Sequence, residues 1–478
     1  MLYTLLIVQL KYINTLVYLK KNQFFFILLL FWSFIWTSLN SYPVTIYPLT
    51  FDKEFNIYEI FKSIFNSRIY IPLIFTSIGL IIILFKVQIF KKNYFLTIYI
   101  LFFLSQLIGL ALNDFKNFNI ERIYLVIQAF NALLILYIAN NILNEDQIKK
   151  FFLINIFFLV IIATFYLTII YTEYFTHLNF YLYSSQTWSE FFMNEPIIRV
   201  TGLARILSLI ILILLAKLIN DISNFTKLFL ILLLIFIGIS FWGLQSRLAM
   251  ICFLMTALIY FIIFLRKKIF INLITFFLII FCSIEGFNYI AKYKLNTDEV
   301  VKNRLSLTYS AIAKGHYSND ISGITYATSA RNKIWSKIIK DYDYKKIFGY
   351  GPQADRHVIL KPVVGKLDSG FMSNASSSFF YAFICGGYFS FFLLMLLNIH
   401  ALYLMFIYLK NRIYRNNNNL VIKSTFLIII YLMIRSIFEN SYSLFSLDYL
   451  LFVSSIVIFE KLLKNDKINP YRTSTLHA

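Results

Sequence analysis

The sequence predicts an all-α polytopic membrane protein with about 12 transmembrane helices and one long, partly helical loop before the tenth. Three observations carry this. Of its 478 residues, 59% are hydrophobic, 19% aromatic and only 14% charged, too apolar a mixture for a water-soluble chain of this size. The apolar residues are gathered into runs as long as membrane spans. The basic residues between those runs alternate from side to side along the chain.

In chain order, the predicted spans are 24–39, 69–85, 94–112, 123–142, 151–171, 197–216, 228–243, 248–265, 269–290, 378–409, 424–438 and 444–459. The first follows Lys20 and Lys21 and has no small-residue cleavage site after it, so it reads as an uncleaved span rather than a signal peptide. With the N-terminus inside, the inner segments hold 21 Lys and Arg, whereas the short outer loops hold five. That asymmetry predicts both termini inside and the long loop outside. Three regions follow: 1–290 with nine helices, 291–375 as the loop, and 376–478 with three helices and an inner tail.

The excess of 44 Lys and Arg over 23 Asp and Glu would suggest nucleic acid in a soluble domain; here it first suggests loops anchored on the inner side, and no nucleic acid is expected. The outer loop keeps 14 Lys and Arg against seven Asp and Glu, although long loops escape that rule. Two readings stand for it: a solvated helical excursion, or a basic lid over an anionic substrate. Cys252, Cys282 and Cys385 all lie in apolar runs without paired spacing, which supports neither disulfides nor a zinc site. Clustered carboxylates of the kind that hold a divalent ion are absent from the sequence pattern, so no metal and no cofactor are expected.

Four basic residues remain, all arginines at or within apolar runs: Arg199, Arg205, Arg247 and Arg435. In the predicted topology all four fall in the outer half of the membrane, where a charge is costly and turns toward a bundle interior, a cavity or the interface. Snorkelling would account for any single one. Four at similar depth beneath a basic loop favour a shared anionic pocket, because guanidinium stays charged and donates bidentate hydrogen bonds to phosphate. Arg435 and Glu439 stand at i, i+4, a spacing that suits a local ion pair holding Arg435 in orientation.

The motifs add a resemblance. Arg199-Val200-Thr201-Gly202 at the start of a span, Ser246-Arg247-Leu248-Ala249 at another, Arg331 through Trp335 followed by Gly349-Tyr350-Gly351 in the loop, and Arg435 through Asn440 followed by Asp448 are similar, in this order, to motifs of the O-antigen ligase and O-antigen polymerase family of bacterial membrane glycosyltransferases. The likeness covers 199–448, and the first five spans contribute hydropathy alone. Ligase-type members carry His-Asn about where this chain has Ser376-Ser377, and serine-rich versions look more like polymerases.

The resemblance implies an inner-membrane enzyme with its loop in the periplasm. It would transfer glycan from an undecaprenyl-diphosphate-linked donor to a glycan or lipid A-core acceptor among membrane lipids, with a chain-length regulator as a candidate partner. Negative charge builds on the departing diphosphate, so preorganised cations are the expected catalysts. Arg199, Arg205, Arg247, Arg331 and Arg435 are the candidate diphosphate-binding residues. Arg247 and Arg331, together with His357 and Glu439, are the candidate catalytic residues, and Asp355 is a further candidate base. Polymerase is the preferred reading and ligase the alternative. A lipid-linked oligosaccharide flippase or transporter is the alternative from another class, but transporters often show two similar halves and this chain does not. A receptor or structural protein would leave the four arginines without a purpose.

Overall fold

The computed structural model describes residues 94–113, 145–169, 200–218, 223–243, 246–264, 269–295, 331–355, 375–410, 420–439 and 447–468. These form α1 (Tyr94–Ala111), α2 (Glu145–Ile169), α3 (Val200–Leu218), α4 (Asn224–Gly243), α5 (Arg247–Phe264), α6 (Ile269–Leu295), α7 (Arg331–Asp341), α8 (Ser378–Lys410), α9 (Leu420–Phe438) and α10 (Leu447–Ile468). No strand occurs among the described residues. Nine of the predicted apolar runs coincide with nine of these helices, while 24–39, 69–85 and 123–142 lie outside the described residues.

The chain is an all-α membrane protein. The stretches Asn224–Trp242, Phe270–Phe287, Ser378–Lys410 and Leu420–Phe438 are each long and apolar enough to cross a bilayer. α3 and α9 are apolar on nearly every side and correspondingly central: Leu203 to Ile213 and Val421 to Leu432 are buried throughout. α5 packs against both, α2 flanks α3, and α10 pairs with α9. α4 and α6 form a peripheral pair whose outer faces, Leu228, Leu232 and Phe236 on one and Phe270, Phe277 and Phe281 on the other, stay exposed as a lipid-facing surface does.

Direction along the bundle is fixed by contacts. Phe264 near the end of α5 packs edge-on against Phe426 near the start of α9 and tilts against Tyr408 near the end of α8; Tyr408 in turn meets Phe459 of α10. At the opposite end the Ser378 hydroxyl, which opens α8, donates to the Glu439 carbonyl just after α9. The starts of α3, α5, α8 and α10 and the end of α9 therefore gather at one end of the bundle.

α8 is not one continuous helix. Gly387 has φ 65° and ψ −159°, which breaks it in two. The part after the break, 388–410, is about 34 Å long at 1.5 Å per residue, enough for the hydrocarbon core of a bilayer. The part before it is buried against α1 and the loop.

Candidate functional site

At the gathered end, three charged side chains from three helices meet. Asp448 lies in the first turn of α10, and its Oδ1 is 2.7 Å from Nη1 of Arg205 on α3. Its Oδ2 accepts a hydrogen bond of 3.1 Å from Nε of Arg435, in the last turn of α9. The three residues are 2%, 5% and 5% exposed. An acid at a helix start and a base at a helix end each suit the local dipole. Arg205, near the start of α3, has the opposite relation to its own helix and relies on the carboxylate. A charge this deeply withdrawn from water is costly alone, and pairing across helices offsets that cost.

The sequence offers Glu439 as the partner of Arg435. In the structure Asp448 is the carboxylate at 3.1 Å, while Glu439, one turn further on, acts on the same guanidinium through its field. Tyr431 is close enough to feel both Arg435 and Asp448. Asp448 receives no site role from the sequence reading. It could have been found by the rule that singled out the arginines, since an acidic residue opening an apolar run needs a cationic partner.

The second feature is the docked loop. α7 turns Ile334, Trp335 and Ile338 inward, and Trp335 stacks on Phe380 while its indole N–H donates to the Ala375 carbonyl at 3.0 Å. Beyond α7 the chain forms a tight turn and runs into the break in α8. The amide N–H groups of Tyr350 and Gly351 donate to the carbonyls of Ile384 and Cys385, at 2.9 and 2.8 Å. In an unbroken helix those carbonyls would bond to residues 388 and 389, so the loop supplies the hydrogen bonds that the break removes.

Glycine is required on both sides of this junction. Gly349 has φ 63°, and a Cβ there would strike the Ile384 carbonyl; a Cβ on Gly387 would strike the Ile347 carbonyl. Asn113, at the end of α1, ties the turn to the bundle: its amide donates to the carbonyls of Gly109 and Gly349 at 2.6 and 2.8 Å, and its oxygen accepts from Lys346. The Lys346 ammonium also sits 4.8 Å above the Tyr350 ring. Burial pushes the Tyr342 phenol well above the ordinary tyrosine range, with Tyr350, Tyr388 and Asp343 adding to the shift; burial also raises Tyr350. Both stay neutral over the physiological range.

Asp355 is fully buried, and its Oδ2 accepts the Ala375 N–H at 3.0 Å. It thus places a carboxylate at the approach to α8, where the helix dipole favours it. Ser376, one residue on, adopts φ 49°. Tyr381 lies beneath, donating to Gln106 of α1 at 3.3 Å. Asp355 thereby acts as a fastener of the loop.

Of the remaining candidates, Arg247 and Arg331 are the first residues of α5 and α7. Arg331 stands four residues before Trp335 and seven before Ile338. Arg199 and His357 lie outside the described residues. Among the described residues no three of His, Cys, Asp and Glu converge as a metal-ligand set. No protein-family model matches the chain, and no curated protein matches it significantly.

Proposed function

We propose that this chain is a membrane glycosyltransferase of the O-antigen polymerase type, joining repeat units carried on undecaprenyl diphosphate at the periplasmic face of the bacterial inner membrane. The observation that supports it best is the convergence of Arg205 and Arg435 on one carboxylate, at the bundle end where Arg247 begins its helix and where α7, begun by Arg331, docks. Two guanidiniums against Asp448 leave that trio positive, partly offset by Glu439. An anionic headgroup arriving from the lipid would meet fixed cations there.

In this reading the acceptor hydroxyl of one glycan attacks the anomeric carbon of the other, the bond to the diphosphate breaks, and the arginines stabilise the departing charge. The hydroxyl proton passes to a base for which His357 and Glu439 are the candidates. Ser376-Ser377 in place of a His-Asn pair favours polymerase over ligase, and a chain-length regulator would act on the same complex. The topology that goes with it has 12 spans, both termini in the cytoplasm and 291–375 in the periplasm.

Arg247→Ala and Arg331→Ala should each abolish glycan extension while the protein remains in the membrane at normal levels. Near-normal chain ladders on a gel from either variant would sink the pocket. Deleting the protein should leave a single repeat unit on the surface acceptor; loss of every unit from that acceptor would make it a ligase.

A further inference from the structure

We infer that the turn after α7, residues 342–349, is immersed in the bilayer interface, so that the loop is held to the membrane by lipid as well as by protein. The turn is fixed at a definite depth. Its backbone bonds to α8 at residues 384 and 385, just above the break from which the membrane-crossing part begins, and Ile347 lies against Gly387 itself. From that point α8 exposes Tyr388, Phe389 and Phe392, the lipid-facing side of a span. Phe348 packs edge-on against Phe389, which makes the turn continuous with that surface. On the other flank, α1 still exposes Ile108 and Leu112 at the level where Asn113 grips the loop, with Leu112 65% exposed.

Between these two apolar borders the turn presents Tyr344 at 52% and Ile347 at 59% exposure, and the carbonyl of Ile339 on α7, itself an exposed residue, accepts from the Tyr344 hydroxyl. A solvated segment has no reason to expose these three so close together in the chain, whereas an interfacial one does: the tyrosine ring would sit among headgroups and the isoleucines would reach the first methylenes. Lys345 stands beside Tyr344, where its ammonium would reach lipid phosphate with its stem along the apolar edge, whereas Lys337 and Lys340 occupy the other flank of α7, exposed and turned away from that edge. Asp341 and Asp343 are exposed nearby and moderate this attraction, which makes apolar immersion the larger contribution.

The occupant is therefore the bilayer around the protein, and this does not depend on the enzyme's reaction. The test uses the full chain in lipid nanodiscs carrying Cys282→Ser, since Cys252 and Cys385 are buried. A polarity-sensitive fluorophore is attached at Ile347→Cys, at Tyr344→Cys, or at Lys337→Cys as the water-facing reference. Shallow spin-labelled lipid should quench the probes at 347 and 344 severalfold more than the probe at 337, and aqueous iodide should quench them less. Probes at 347 and 344 that match the reference in both quenchers overturn the inference. The two sites are read separately, so that one disturbed variant does not decide the outcome. If the probe at 347 is shielded from iodide yet insensitive to spin-labelled lipid, a protein or glycan covers the turn, and the inference is equally overturned.

Discussion

Asp448 shows how much can depend on one carboxylate in a membrane. It joins α3, α9 and α10 by pairing with two arginines, and neither arginine could stay buried at the same cost without it. Removing one partner of a buried ion pair typically costs about 3–5 kcal/mol, so Asp448→Asn should lower the unfolding temperature in detergent markedly, with Asp448→Glu intermediate. A melting curve like that of the unaltered protein would mean that the trio contributes little to stability. The arginines of this trio were legible in the sequence, because charges in apolar runs stand out; which carboxylate they use was not. The i, i+4 spacing of Arg435 and Glu439 is visible in one dimension, whereas pairing to a residue 13 positions on depends on how two antiparallel helices meet. Asp355, a candidate base in the sequence, also fastens the loop through the Ala375 amide, a partner 20 positions away that no local spacing reveals.

At the scale of elements, the interrupted α8 and the loop that completes it form a single unit. Apolar runs of at least about 15 residues announce helices strongly, which is why nine runs match nine helices. A run of 32 residues conceals a break within it, because Gly386-Gly387 alters hydropathy little. The role of Gly349-Tyr350-Gly351 as a backbone donor to another helix leaves no periodic trace in the sequence. Gly349→Ala should force both a disfavoured φ and a collision with the Ile384 carbonyl, at a cost of about 1–3 kcal/mol from the backbone alone. Cys385, now buried beneath Gly351, should then react with a membrane-permeant maleimide, and Asn113→Ala should produce a smaller increase. Equal labelling of Cys385 in both variants and the unaltered protein would show that the loop does not cover α8.

Across the whole molecule, the arrangement of ends matters most: among the described residues the Arg205–Asp448–Arg435 trio lies where α3, α5, α8 and α10 begin, and aromatic packing lies toward the other end, beside the buried Lys423 and Glu460. A cysteine at residue 320, in the long loop, should be labelled from the periplasm in intact cells; labelling from the cytoplasm alone would overturn the proposed sidedness. The alternation of basic residues is what the expected orientation rests on, yet it does not reveal that part of the loop packs into the bundle, since loop composition carries no record of depth. The loop docked on the broken helix also sets an order for biosynthesis. The segment 342–351 leaves the ribosome after α1 but before α8, so Asn113 is already waiting while the carbonyls of Ile384 and Cys385 do not yet exist. The amides of Tyr350 and Gly351 must stay in water until α8 has been inserted, which makes closure of the loop one of the last steps in maturation and leaves the arginine-bearing end open until nearly the whole chain has been made.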